Sequence, residues 1–153
     1  MAEKKPAETE QTNVQFDIRK IYLKDASLES PQAPNIFLKL DSSPNIDINL
    51  NISEEKLSEE GYYNIILTVT VNAKFNEETA FLCEVQQGGV FSISGIPDEE
   101  LPLALNIACP NVLLPFAREA ISDLVTKAGF PQLLLSPVNF EALFHQKLSK
   151  QKH

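Results

Sequence analysis

The longest alternation of apolar and polar side chains in the chain is YNIILTVTVNA at residues 63–73. A period of two is typical of a β-strand with one face in the core and the other in water. Residues 46–52 repeat the pattern as IDINLNI, and residues 79–94 continue it after a turn at Asn76-Glu77. Successive strands with short polar connections favour an antiparallel meander.

A further strand is predicted upstream, where apolar residues alternate with polar ones from residue 14. The alternation slips by one residue at Arg19-Lys20, which indicates a β-bulge. Residues 36–40 are interpreted as a short strand. The pair Gly88-Gly89 is expected to produce a bulge or kink in the strand at 79–94.

The second part of the chain predicts helices. Pro97 followed by three acidic residues is typical of a helix start, and Pro102 is expected to keep that helix short. A longer helix is expected to begin near Pro110 and to end at Lys127-Ala128, with Gly129 as the residue after it. Strands followed by helices predict an α+β domain.

The end of the chain predicts a loop and one more helix. Pro131 and Pro137 bracket an apolar loop, and Asn139 is expected to cap a last helix whose apolar residues share one face. The sequence therefore predicts a disordered arm at 1–13, one domain at 14–148 and a basic tail at 149–153.

The long helix carries more apolar faces than one sheet can cover. Leu113, Ala117, Ala120 and Leu124 form one stripe, and a second stripe around Ile121 lies beside it. A helix of this kind should be buried on more than one side. From the pattern alone, the second covering surface is either another subunit or the chain's own loops.

Charge and composition exclude several classes of function. The 153 residues include 13 basic and 21 acidic side chains, giving a net charge of −8, and such a chain repels the phosphates of nucleic acids. The charged N-terminal residues do not resemble a signal peptide. No run approaches the roughly 18 apolar residues that span a bilayer. A cytoplasmic protein without membrane insertion is expected.

Catalytic, metal and cofactor motifs are missing from the sequence. The only histidines are His145 and His153, both near the C-terminus. Cys83 and Cys109 are interpreted as reduced core residues, although an exposed and reactive Cys83 would favour an enzyme. The residues therefore predict a protein that binds something rather than converting it, with no catalytic residue, metal or cofactor.

Several segments of the sequence resemble a known family. EETAFLCEVQQGG at 77–89 is similar to the signature strand of the SecB export chaperones, and CPN at 109–111 with PFARE at 115–119 resembles the long helix of that family. Further similarity lies in the loop and last helix, at FPQL 130–133, PVNF 137–140 and ALF 142–144, and near the start, at IY 21–22, KD 24–25 and AP 33–34. The resemblance covers roughly residues 14–145.

The resemblance implies a fold and a function. SecB-like proteins have a four-stranded antiparallel sheet with helices and assemble as a dimer of dimers, with the long helix between the dimers. They hold unfolded precursor proteins and deliver them to the SecA translocation ATPase, without a cofactor and without hydrolysis. The alternative is a chaperone of the same fold dedicated to one partner, such as an antitoxin.

The resemblance also implies roles for particular residues. The SecA-binding positions correspond to Asp25, Glu29, Leu82 and Glu84. The oligomer interface corresponds to Phe81, Cys83, Val85, Gln87, Leu113, Ala117, Ile121 and Leu124. The candidates for a client groove are Phe37, Phe130, Leu133, Leu135, Phe140 and Phe144.

The sequence departs from the family in two places. Asp41, Ser42 and Ser43 stand where family members often carry an aromatic residue. The tail at 145–153 contains Lys147, Lys150 and Lys152 and no acidic residue, which puts a contact between the tail and SecA in doubt.

Overall fold

Four strands form one antiparallel sheet in the computed structural model, which describes residues 13–40 and 43–151. They are β1 (Gln15–Glu29), β2 (Asn45–Lys56), β3 (Tyr62–Phe75) and β4 (Glu78–Ser94). The order across the sheet is β1-β4-β3-β2. The meander predicted from the alternation therefore comprises β2, β3 and β4, while β1 pairs with β4 and forms an edge. Residues 1–12 of the predicted arm lie outside the described residues.

Local geometry within the sheet confirms two predictions and corrects one. Asn76 and Glu77 have φ angles of 49° and 73°, as a tight hairpin turn requires. The predicted bulge lies between Ile18 and Lys20 of β1, and a second, unpredicted bulge follows between Leu23 and Asp25. Of the bulge or kink predicted at Gly88-Gly89, the bulge is wrong, because β4 keeps its register with β1 and β3 there.

Close packing, rather than a bulge, explains the two glycines. A Cβ atom on Gly89 would lie 2.7 Å from Cε1 of Phe91 and 2.9 Å from Cδ2 of Leu113. A Cβ atom on Gly88 would clash with the ring of Tyr22 on the opposite face of the sheet. The pair therefore makes room for side chains on both faces.

The short strand predicted at 36–40 is also wrong, because Asn35–Leu38 is a 3-10 helix. Ile36 is 1% exposed, whereas Leu38 is 86% exposed. In a strand these two side chains would share a face. The burial of one and the exposure of the other fit a helical turn.

The helices predicted after Pro97 form one continuous segment, Asp98–Lys127. It consists of a 3-10 turn (Asp98–Glu100), α1 (Leu101–Leu103), a π-helical turn (Ala104–Ala108) and α2 (Cys109–Lys127). The π turn widens the helix immediately before Pro110, which cannot donate a backbone hydrogen bond. The change of helix type thus accommodates a proline that was expected to mark a helix start.

This segment is long and apolar enough to cross a membrane by length and composition alone. The core helix of a soluble protein passes the same test. Here Leu113, Ala117 and Ile121 of α2 are fully buried within the chain. They belong to one hydrophobic core with the facing sheet residues, among them Leu67, Val69, Val71, Val85 and Phe91.

The C-terminal elements follow the prediction closely. Gly129 has a φ angle of 98° after α2, which is typical of a residue that ends a helix. Residues 131–139 form no regular structure, and Asn139 then caps α3 (Phe140–Gln151) by accepting a hydrogen bond from the Ala142 N–H at 3.0 Å. The helix continues through Gln151, beyond the boundary predicted at 148.

Candidate functional surfaces

The face of the sheet opposite α2 is here called the outer face. It is formed by alternate residues of the four strands, and within the described ranges no helix covers it. Glu29 lies directly opposite Leu82 in the β1–β4 pairing, and Ser27 lies opposite Glu84. Asp25 lies opposite Gln86. The four residues predicted to bind SecA are therefore brought together on this face.

The centre of this group combines one apolar side chain with carboxylates. Leu82 is 40% exposed, with Glu29 beside it on β1 and Glu84 two residues further along β4. The Thr70 hydroxyl donates a hydrogen bond of 3.3 Å to the Glu84 carboxylate, which holds that side chain over β3. Such a surface suits a partner segment that carries an apolar side chain next to basic groups.

Tyr22 fixes β1 to the rest of the sheet. Its ring lies over Gly88, and its hydroxyl donates a hydrogen bond of 2.5 Å to Oδ1 of Asn64 on β3. From the other face, the buried Gln87 Nε2 donates to the Tyr22 carbonyl at 2.9 Å. Because Tyr22 stands between the two bulges of β1, these bonds set the position of the segment that carries Asp25 and Glu29.

Seven of the eight residues predicted for the oligomer interface are buried within the chain itself. Their exposed fractions range from 0% to 4%, for Phe81, Cys83, Val85, Gln87, Leu113, Ala117 and Ile121. Leu124 is half-buried. The seven side chains fill the space between the sheet and α2. Their role in assembly stays a prediction, and it has to act through this packing rather than through direct contact with a second chain.

Exposed apolar side chains also lie on the β1 edge and on the helical segment. On the β1 edge, Val14, Ile18 and Leu23 are each at least half exposed. On the helical segment, Leu103 is 42% exposed and Phe116 is 47% exposed. An edge strand with exposed apolar side chains is prone to pair with another chain, and exposed apolar groups on a helix favour contact with a partner.

A groove of about 300 Å³ lies between β2 and α3. This β2–α3 groove is lined by Leu50, Asn51 and Ile52 of β2, by Asn106 of the π turn, and by Leu143, Phe144, Gln146, Lys147 and Lys150 of α3. Its floor is apolar, and polar and basic side chains surround the floor. A concave apolar site with few polar groups is typical of a binding site.

The structure separates the six residues predicted for a client groove. Phe144 lines the β2–α3 groove, while Phe130, Leu135 and Phe140 lie in the core. The Phe130 ring centroid lies 5.2 Å from that of Phe37, which is 38% exposed, and 5.0 Å from that of Phe81. Leu133 is half-buried.

Sequence reasoning missed most of the β2–α3 groove. The alternation of β2 placed Leu50 and Ile52 on one face of the sheet and so contained a usable signal. Asn106 gave no signal: it is buried, and its Nδ2 donates to Glu54 Oε2 and to the Pro102 carbonyl, both at 2.9 Å. The bond to Glu54 connects the π turn to β2 at the groove. Of the unusual segment at 41–43, only Ser43 lies within the described residues.

The two thiols are unsuited to nucleophilic chemistry. Cys83 and Cys109 are free and fully buried. Burial raises the pKa of Cys83 to about 11, and burial together with the nearby Glu54 carboxylate raises the pKa of Cys109 to about 12. A nucleophilic cysteine requires a lowered pKa and access to solvent. In the part of the chain that the structure describes, no group of three His, Cys, Asp or Glu residues is arranged to hold a metal ion.

We expect both thiols to resist thiol reagents in the folded protein at neutral pH and to react fully in denaturant. Labelling kinetics measure this effect, and rapid labelling of native Cys83 would contradict it.

The raised pKa values also predict a pH dependence of stability. The folded state retains these protons above the ordinary thiol pKa of 9.0, so the free energy of unfolding should fall as pH rises from about 9 towards 11. Denaturant titrations at several pH values measure this fall in the free energy of unfolding.

Comparisons with known proteins place the chain in one family. The family model "Preprotein translocase subunit SecB" matches residues 9–151. The Protein-export protein SecB of Neisseria meningitidis serogroup C is 52% identical over 133 residues, which cover 86% of this chain and 89% of that protein. The Chromobacterium violaceum protein of the same name is 48% identical over 145 residues, covering 95% of each chain.

A solved structure also matches the fold. A SecB-like chaperone of Mycobacterium tuberculosis, in complex with a ChAD peptide from the HigA1 antitoxin, superposes with a TM-score of 0.66 and covers 80% of this chain and 90% of that chain. At 15% identity this similarity supports the fold alone. The family model and the close relatives span most of the chain, and the chain therefore belongs to the SecB family of protein-export proteins.

Proposed function

We propose that this SecB-family export chaperone holds unfolded precursor proteins at apolar surfaces, including the β2–α3 groove, and delivers them to the SecA ATPase through the outer face. It works in the cytoplasm without a cofactor and without a catalytic step. The observation that carries the SecA part of the proposal is the arrangement of Asp25, Glu29, Leu82 and Glu84 on one helix-free face.

The physical form of the outer face supports a transient contact with a basic partner. Carboxylates around an exposed leucine attract basic side chains over several ångströms, which speeds encounter more than it tightens the complex. Leu82 supplies a small apolar contact that gives the complex its position. A delivery step needs such a contact, because the partner must bind quickly and leave again.

Glu84→Lys is expected to abolish detectable SecA binding while leaving the fold and client capture unchanged. The substitution replaces an attraction with a repulsion at a residue that points away from the core. Titration of SecA against the parent and the variant, at low and high salt, measures the effect. Salt should weaken parent binding, because exposed charges are screened beyond about 8 Å at physiological ionic strength.

A matched control comes from the same face of the sheet. Glu55 lies on β2 opposite Asn64, away from Leu82, so Glu55→Lys introduces the same charge change outside the proposed contact. It should weaken SecA binding far less. Equal affinities of the parent and Glu84→Lys at low salt would remove the outer face from the proposal.

The exposed apolar surfaces support a homotetramer built as a dimer of dimers. The unpaired edge of β1 offers a strand for pairing with β1 of a second copy, and isologous contacts of this kind close a dimer. The exposed side of the helical segment around Phe116 offers a second contact, between dimers. Two independent surfaces on each subunit are what a dimer of dimers requires.

A chaperone dedicated to one partner, such as an antitoxin, is not favoured. The proteins that are 48% to 52% identical over most of the chain are named for protein export. The antitoxin-bound chaperone resembles this chain in fold alone. A holder in export should also bind many unfolded sequences.

A further inference from the structure

The edge strand β1 carries half of the proposed SecA contact, and one side chain ties it across the sheet. We propose that Tyr22 is a positioning residue for SecA binding, because it holds β1 in the register that brings Asp25 and Glu29 into the contact. It acts through the strand and not by touching SecA. This role rests on the proposed use of the outer face and adds a residue on which that use depends.

Burial alone holds the register of β1 only loosely. Two bulges, between Ile18 and Lys20 and between Leu23 and Asp25, flank the segment 20–23. Ile18 and Leu23 are 50% and 52% exposed in the single chain, and Ile21 between them is half-buried. A register is weakly specified where neither face of a strand is well buried, and each bulge also interrupts the ladder of hydrogen bonds.

Tyr22 supplies a further constraint through a notch at Gly88. The two residues lie opposite each other in the β1–β4 pairing, and a Cβ atom on Gly88 would lie 2.7 Å from the Tyr22 hydroxyl oxygen and 2.8 Å from its Cε1 atom. A shift of β1 by two residues would place the ring opposite Gln86 or Val90, which carry side chains on this face. A shift by one would turn the ring to the other face. The ring therefore fits in one register.

The bonds of Tyr22 hold the strand from both faces. Its hydroxyl crosses β4 and donates a hydrogen bond of 2.5 Å to Oδ1 of Asn64 on β3. This path passes Ile66, which lies opposite Gly88 and is only 8% exposed on the outer face. From the helix-facing side, the Gln87 Nε2 donates to the Tyr22 carbonyl at 2.9 Å. One residue between the two bulges is thus fixed to β4 and to β3.

The register of β1 decides whether the acidic side chains face SecA. A shift by one residue would turn Asp25 and Glu29 towards the helices, and a shift by two would separate Glu29 from Leu82. SecA would then bind only the fraction of chains in the native register, and its apparent affinity falls in proportion to that fraction. The association rate should fall as well, whereas a complex formed in the native register should dissociate at the parental rate.

The test measures the rates of SecA association and dissociation with the full chain. Tyr22→Thr keeps a residue type that favours strands and removes the ring and the hydroxyl. Losing the buried ring and its hydrogen bond shifts the register equilibrium roughly hundredfold, so the association rate should fall by about fivefold or more. Tyr22→Phe should have the same effect to a smaller degree. Hydrogen exchange should quicken at the β1 amides in the same order, and the β2 amides should keep the parental rates.

Tyr62→Thr is the matched control, because it removes the same atoms from the same face. Tyr62 lies opposite Ser92, and the guanidinium carbon of Arg19, at the first bulge, is 5.6 Å from its ring centroid. This variant should keep the parental association rate. Tyr22→Phe and Asn64→Ala remove one bond from its two ends, so the double variant should bind no more slowly than the slower single variant.

The outcomes separate this role from the proposed function. A parental association rate for Tyr22→Thr, with Glu84→Lys still defective, overturns the role of Tyr22 and leaves the SecA site in place. Faster dissociation at an unchanged association rate would mean that Tyr22 contacts SecA directly, which also overturns it. Equal binding of the parent and Glu84→Lys removes the outer face itself. Circular dichroism checks folding, and if Tyr22→Thr does not fold, the rates of Tyr22→Phe decide.

Discussion

Val85→Lys is expected to destabilise the subunit strongly. Val85 is 0% exposed in the centre of β4, opposite Val69 of β3 and Ala26 of β1. An uncompensated buried charge costs about 3–5 kcal/mol, against a total stability of about 5–15 kcal/mol for a typical domain. Thermal unfolding followed by circular dichroism should show a midpoint far below that of the parent.

A lysine on the other face of the same strand is the matched control. Leu82 is exposed on the outer face, so Leu82→Lys should keep a cooperative transition close to that of the parent. The sequence resemblance assigned Val85 to subunit assembly, and the structure provides the reason to expect a loss of folding first. A Val85→Lys protein that unfolds with the parental midpoint would contradict the burial of this side chain.

Phe116→Glu is expected to dissociate the proposed tetramer while each subunit stays folded. Phe116 is 47% exposed in the single chain, so a carboxylate there remains partly hydrated and costs the subunit little. At a contact between dimers, the same carboxylate would be buried without a partner, at a cost of about 3–5 kcal/mol, which weakens association by more than a hundredfold. Light scattering should give four times the 17.0 kDa subunit mass for the parent and a smaller mass for the variant.

The conservative substitution Phe116→Leu is the control for this experiment. It retains an apolar side chain at the proposed contact and should keep the parental mass. A tetramer that persists in Phe116→Glu at micromolar concentration would show that this side of the helical segment is not a subunit contact. The edge of β1 would then be the next candidate for a subunit contact.

Local patterns were sufficient for most of the secondary structure. Alternation placed β2 and β3 within a few residues of their observed bounds, because one face of each strand is buried and the other is polar. Three local roles were also predicted correctly, since each depends on the residue itself. They are the turn at Asn76-Glu77, the helix end at Gly129 and the helix cap at Asn139. The strand predicted at residues 36–40 was wrong because a short apolar run fits a helical turn as well as a strand.

The β2–α3 groove was largely beyond reach from the sequence. Phe130, Leu135 and Phe140 have the same apolar character as Phe144, and all four are buried. Only the position of Phe144 beside Leu50 and Ile52 in the folded chain makes it a lining residue of the groove. Asn106 joins the π turn to Glu54, which lies 52 residues earlier in the chain. A contact between such distant residues has no local signature.

The sequence by itself determined the four long strands, the C-terminal end of α2, the start of α3, the acidic charge and, through residues 77–89, the family. Those features depend on side-chain type and on neighbours a few residues away. Only the tertiary structure decided that β1 lies beside β4, so that Asp25 and Glu29 share a face with Leu82 and Glu84. It also decided that Val85 and Gln87 are buried inside one subunit, and that Lys147 and Lys150 lie beside an apolar floor. The physical reason is that pairing and burial depend on which distant segments meet, and a one-dimensional pattern does not contain that information.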